Sequence, residues 1–226
     1  VGYKGADKAT NLSIISLFCK KMNRMTREMI KSMPAPRKHR TDYDYPLSPE
    51  DRSKAADELC DRIRAAFTGV KLEDGIGLWE AQGLDDYEPP GVCATYRLKD
   101  EAEDWNRISD ETLQRCNSSP SFLDAKGFRF YMPAFMLSEL RGDYGFDFHW
   151  SLIHFDTLGY ARYELLDTAQ RAAVRDYLIF FASDPNDTYS RDDIMYALET
   201  YWTEASCKVP TEPESTEAEV VGDNRR

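Results

Sequence analysis

An α+β fold, a helix-rich single domain around a small antiparallel β-sheet with disordered ends, is what this sequence predicts. Three observations carry the expectation. Capped, amphipathic helix starts occur at Ser48, Asp167 and Ser190; apolar and polar residues alternate from Phe128 to Met132; and two short apolar runs flank the turn-like Asp156-Thr157-Leu158-Gly159. The chain has 226 residues with 42% hydrophobic and 12% aromatic content, enough to bury a core without disulfides or metal.

The ends differ from the body in charge. Residues 1–45 carry ten Lys/Arg against four Asp/Glu, a balance of +6, which leaves −17 on residues 46–226 and −11 on the whole. The sequence therefore divides into a basic arm, 1–45, a domain, 46–207, and an acidic tail, 208–226. The arm holds Lys20, Lys21, Arg24, Arg27, Lys31, Arg37, Lys38 and Arg40 and reads as solvated, disordered or extraneous chain. Val1 followed by Met22, Met25, Met29 and Met33 is the pattern expected of an upstream non-methionine start or of a fragment. The tail, with Pro210, Pro213 and repeated Glu, has the composition of disorder.

Within the domain, Ser48-Pro49-Glu50-Asp51 supplies a cap, a first-turn proline and first-turn acids. Ala56, Leu59, Cys60, Ile63 and Phe67 follow at helical spacing. Pro89-Pro90 starts a helix toward Trp105, Ser109-Asp110-Glu111 starts a shorter one, and Pro133 starts another through Leu140. Phe128, Phe130 and Met132, alternating with Arg129 and Tyr131, predict a strand whose first set is buried; Arg129 then points away, toward a carboxylate. Ser151–Phe155 and Tyr160–Leu165 predict a β-hairpin. Asp167-Thr168-Ala169-Gln170 opens a helix through Phe181. Ser190-Arg191-Asp192-Asp193 opens a second with the stripe Ile194, Leu198, Tyr201, Trp202 and Ala205, the two pairing antiparallel.

Composition narrows the function classes. The sequence has no apolar run of 18 residues, which argues against a membrane span and for a cytoplasmic, soluble protein. An acidic body repels nucleic acid and anionic membrane, so polyanion binding is expected only of the arm, residues 20–40. Cys19, Cys60, Cys93, Cys116 and Cys207 are odd in number and never spaced Cys-x-x-Cys, which reads as reduced thiols without zinc. There is no nucleophile elbow and no phosphate-binding glycine loop.

The segments Gly77-Leu78-Trp79-Glu80-Ala81-Gln82-Gly83-Leu84-Asp85-Asp86-Tyr87, Asp104-Trp105-Asn106-Arg107-Ile108 and Phe122-Leu123-Asp124-Ala125-Lys126-Gly127-Phe128-Arg129-Phe130-Tyr131-Met132-Pro133-Ala134-Phe135-Met136 resemble the signature of an uncharacterised bacterial family, a domain of unknown function. The resemblance covers residues from about 50 to 205 and implies a shared fold and a bacterial origin, without a mechanism. Ser119-Pro120 departs from the family pattern, so the preceding helix is expected to end early.

Two sets of residues have chemistry to offer. Glu80, Asp85 and Asp86 facing Arg129 and Tyr131 make a candidate polar pocket, although capping and ion pairing explain the same residues more simply. Asp147-Phe148-His149 and His154-Phe155-Asp156 suggest a divalent metal, but five residues place His149 and His154 on different faces of either a strand or a helix. His39, in the arm, adds nothing. No metal or cofactor is expected, and chelation should leave the domain folded. Asp184-Pro185-Asn186-Asp187 before Asp192 and Asp193 lacks the glycine and closing glutamate of a calcium loop. The expectation is a non-enzymatic cytoplasmic binding or regulatory module whose partner is a basic protein. The alternative is a small hydrolase-type enzyme using a carboxylate cluster, with or without a divalent metal.

Overall fold

The computed structural model describes residues 48–154, 159–184 and 190–207. The basic arm, the acidic tail, Cys19, His39, the Asp156–Leu158 turn and Pro185–Asp187 lie outside the described residues.

The sheet is overturned: the described residues contain helices and turns and no strand. Helix α1 spans Pro49–Ala66, α2 Leu78–Asp85, α3 Pro90–Arg97, α4 Asp110–Arg115, α5 Ala125–Leu140, α6 Trp150–Ile153, α7 Gly159–Arg162, α8 Thr168–Ala182 and α9 Arg191–Thr200. Single 3₁₀ turns occupy Trp105–Arg107, Ser119–Ser121 and Ala205–Cys207.

Local signals placed several helix starts. Ser48 Oγ accepts the Asp51 amide and Pro49 needs no donor in the first turn, so α1 begins there and buries Leu59, Cys60 and Ile63. Asp167 and Gln170 exchange side-chain-to-backbone bonds as a capping box at α8. Ser109 caps α4, which ends at Arg115, before Ser119-Pro120.

α1 and α8 run antiparallel, tied along their length. Arg52 pairs with Asp184 at 2.9 Å and stacks on Phe180, Arg62 pairs with Asp176 at 2.6 Å, and Gln170 Nε2 donates to Ala66 O. α9 returns antiparallel along α8, with Arg175 donating to Trp202 O at 2.6 Å. Ile194, Leu198 and Trp202 of its expected stripe are buried; Ala205 is exposed.

Helix α5 is the centre of the molecule. Eleven of its residues are buried, from Gly127 to Ser138 with only Arg129 of that stretch half-exposed. It touches α1, α4, α7 and the Trp105 turn. The segment read as a strand, Phe128–Met132, lies inside it. Its alternation was misleading because Tyr131 is as buried as Phe130: a helix enclosed on every side has no polar stripe to reveal a period of 3.6. Phe128, Phe130 and Met132 are buried, and Arg129 reaches Glu73 at 3.6 Å.

Pro133 sits mid-helix and starts nothing. It removes one rung of the backbone ladder, and the packing around α5 outweighs the loss. Phe135 stacks on Phe148 at 4.9 Å, and Phe128 meets Tyr163 edge-on at 5.5 Å.

The expected hairpin is likewise helical. Trp150–Ile153 and Gly159–Arg162 are single turns held from outside, since Trp202 Nε1 donates to Leu152 O at 2.8 Å and Tyr163 Oη to Ser151 O. The helix from Pro90 stops at Arg97, well short of Trp105, and Gly77-Leu78-Trp79 opens α2.

The start of α5 and the chain leading into α2 meet at one buckle. Asp124 caps α5 by accepting the Gly127 amide at 2.8 Å, and the same oxygen accepts the Ile76 amide at 3.0 Å. The two chains lie so close that a Cβ on Gly127 would stand 2.2 Å from Ile76 O. Trp105, buried, donates to Phe67 O at 2.9 Å.

Candidate functional site

Of the five residues expected to share a pocket, two lie at the far end of α2 from the rest. Glu80 pairs with Arg97 at 2.6 Å, and Arg97 also reaches the Glu73 and Gly75 carbonyls. The Glu73 carboxylate meets Arg129 and Lys126, so Glu80 and Arg129 end one run of polar contacts, linked through the Glu73 backbone, rather than face each other across a cavity. Lys126 holds the Glu73 and Asp74 carboxyls below their usual range. Asp85 and Asp86 close the C-terminal end of α2, where Asp86 accepts from Gln82.

Tyr131 donates to Glu101 O at 2.9 Å, and burial pushes its phenol pKa up. It lines a polar cleft of about 290 Å³ with Trp79, Lys99, Asp100, Glu101 and Arg107. Asp100, which the sequence reading missed, is the notable member. Gly77 at the N-cap of α2 has no side chain to offer, and Asp100 replaces it by accepting the Trp79 amide at 2.8 Å and the Glu80 amide at 3.3 Å. Burial nevertheless pushes its carboxyl up to about 6, against the pull of those two amides. No periodicity or motif marks Asp100, because its partners are backbone groups about twenty residues away.

A larger groove, about 660 Å³, runs between the start of α5 and α7. Phe122, Leu123 and Leu165 form its apolar lining, and Phe122 and Leu165 remain 37% and 36% exposed. Asp74, Asp124, Glu164, Lys126 and Arg162 contribute its polar wall. Lys126 pairs with Glu73 and Asp74, Asp124 caps α5, and Arg162 donates to Ser121 O at 2.8 Å, so the lining holds three carboxylates against two cations.

The histidines separate as their spacing requires. His154 stacks on Trp150 at 4.4 Å and bonds its carbonyl through Nδ1. His149 turns inward, where Nδ1 lies 2.9 Å from Glu139 Oε1 and its amide donates to Glu139 Oε2 at 3.2 Å. Tyr177 Oη donates to the same Oε2, and burial with the Glu139 charge drives the Tyr177 pKa up. Phe181 stacks on the His149 ring at 4.9 Å. Asp147 is exposed nearby, and Asp156 is outside the described residues.

Cys60, Cys93 and Cys116 are buried, unbridged thiols. Burial raises Cys60 and pushes Cys116 up to about 11, which suits packing rather than nucleophilic attack. No helix among the described residues is long and apolar enough to cross a membrane.

A family model described as Family of unknown function (DUF6714) matches residues 55–206, and the chain belongs to that family. No curated protein and no solved structure matches it.

Proposed function

We propose that this DUF6714 protein is a non-enzymatic binding module that takes an apolar, basic segment of a partner protein in the groove between α5 and α7. The observation that carries the reading is the groove itself, two exposed apolar side chains, Phe122 and Leu165, beside the carboxylates of Asp74, Asp124 and Glu164. Apolar anchors supply affinity and the acidic rim selects charge and speeds encounter. The rest of the domain adds to the field, since residues 48–207 carry 31 Asp/Glu against 16 Lys/Arg.

The residues first suited to catalysis argue the same way. Glu80, Arg129 and Tyr131 are each committed to holding neighbouring segments together. A hydrolase-type reading keeps one support, the raised carboxyl of Asp100 in the cleft beside Tyr131. Both Asp100 oxygens already cap α2, which favours a structural role.

The test is selection of random peptides on the purified protein. Leu or Phe flanked by Lys or Arg should be enriched, and Phe122→Ser should weaken the selected peptides at least about tenfold, the loss of a buried anchor. Enrichment of acidic peptides, or binding indifferent to Phe122, would remove the groove from consideration.

A further inference from the structure

Glu139, Asp147 and His149 come from three places: the last turn of α5, the loop after it and the start of α6. One ligand atom from each lies within 4.8 Å of the others. We propose that these three residues bind a divalent transition-metal ion of the zinc or manganese class.

The donor set is one imidazole nitrogen and two carboxylates, which suits those ions and leaves positions for water. The surroundings prepare the ligands. Glu139 Oε2 accepts from Tyr177 Oη and the His149 amide, which fixes the carboxylate and presents Oε1 beside His149 Nδ1. The imidazole is clamped against Phe181, and the His149 and Glu139 side chains are only 3% and 7% exposed. Bound metal would replace the hydrogen bond between Nδ1 and Oε1. Asp147 is exposed, so its carboxylate is the member that can swing to complete the set.

Charge supplies an independent argument. Among the described residues, neither Glu139 nor Asp147 has a lysine or arginine within ion-pair distance. Two carboxylates brought together at the edge of a buried region repel, and a divalent cation offsets that repulsion. The expectation of no metal rested on the separation of His149 and His154 and did not weigh Glu139. Glu139 lies ten residues from His149 and is brought to it by the fold.

The experiment uses the full chain stripped with chelator and titrated with Zn²⁺ and with Co²⁺. One equivalent should bind, the Co²⁺ protein should show visible bands of nitrogen–oxygen ligation, and the melting temperature should rise on saturation. Asp147→Asn should leave the metal-free melting temperature unchanged or slightly raised, through relief of the repulsion with Glu139, and weaken binding at least about tenfold, as loss of a ligand does. Absence of saturable binding at one equivalent, or equal binding by Asp147→Asn, would overturn the site, the latter by tracing the ions to the acidic surface. Neither result bears on the groove.

Discussion

Gly127→Ala tests the buckle between α5 and the chain before α2. The added Cβ would stand 2.2 Å from Ile76 O and 3.1 Å from Asp124 Oδ1. The first is a backbone atom, so relief requires moving the segment Gly75–Gly77. That segment has no slack, because a Cβ at Gly75 would already meet Lys126 Cβ at 2.6 Å and one at Gly77 would meet Asp100 at 2.0 Å. Alanine is the better helix former by up to about 1 kcal/mol. Against that gain stand overpacking of about 1–3 kcal/mol and the two bonds of Asp124, each worth about 1 kcal/mol. The balance is a net loss of about 2–4 kcal/mol, which for a domain of this size lowers the melting temperature by about 4–16 °C. Urea unfolding followed by circular dichroism measures it. A variant as stable as the parent, or more so, would show that helix propensity outweighs the close approach and that the buckle tolerates expansion.

Phe130→Ala, at a fully buried site on α5, should cost about 3–5 kcal/mol in the same assay, and a loss under about 1 kcal/mol would contradict its central position. Asp100 gives a pH signature. Its carboxyl is raised from 3.8 to about 6 in the folded protein, so the folded state holds the proton more tightly. The resulting stabilisation is complete below about pH 3.8 and is lost as pH rises through 6. The difference corresponds to at most about 3 kcal/mol, and partial exposure reduces it to about 2 kcal/mol. Asp100→Asn should flatten the stability profile between pH 4 and 7; an unchanged slope there would assign it to other groups. Glu73, Asp74 and Glu101, whose carboxyls are lowered, act in the opposite direction, their contribution being lost as the pH falls below about 4.5.

Local chemistry was legible at the ends of helices. Ser48, Ser109 and Asp167 each bond an amide three residues ahead, an interaction that needs nothing beyond the segment itself. The amphipathic surface helices α1, α8 and α9 follow, because one face of each meets water and the 3.6 spacing survives in the sequence. Ser190 is the exception among the caps, since its side chain makes no capping bond at α9. In the candidate sites, the divergence of His149 and His154 could be read from spacing, whereas the pairing of Arg129 with a carboxylate was expected from a strand that is in fact helical.

By itself, then, the sequence determined where α1, α4 and α8 begin, that Phe128, Phe130 and Met132 are core, and that the body is acidic. It marked Pro133–Leu140 as helical but could not determine that Ala125–Met132 belongs to the same helix, since a segment buried on all sides carries no alternation between water and core, and Pro133 gives a false start signal. Ser151 and Tyr163 show the same limit: their short segments are fixed by bonds to each other and, through Leu152, to Trp202 rather than by their own propensity. Tertiary structure alone brought Asp100 to the start of α2 and Glu139 to His149 and Tyr177. Those contacts span ten to thirty-eight residues. Whether two such groups meet depends on how helices pack around α5, and that is settled by the shape of the whole core rather than by any local pattern.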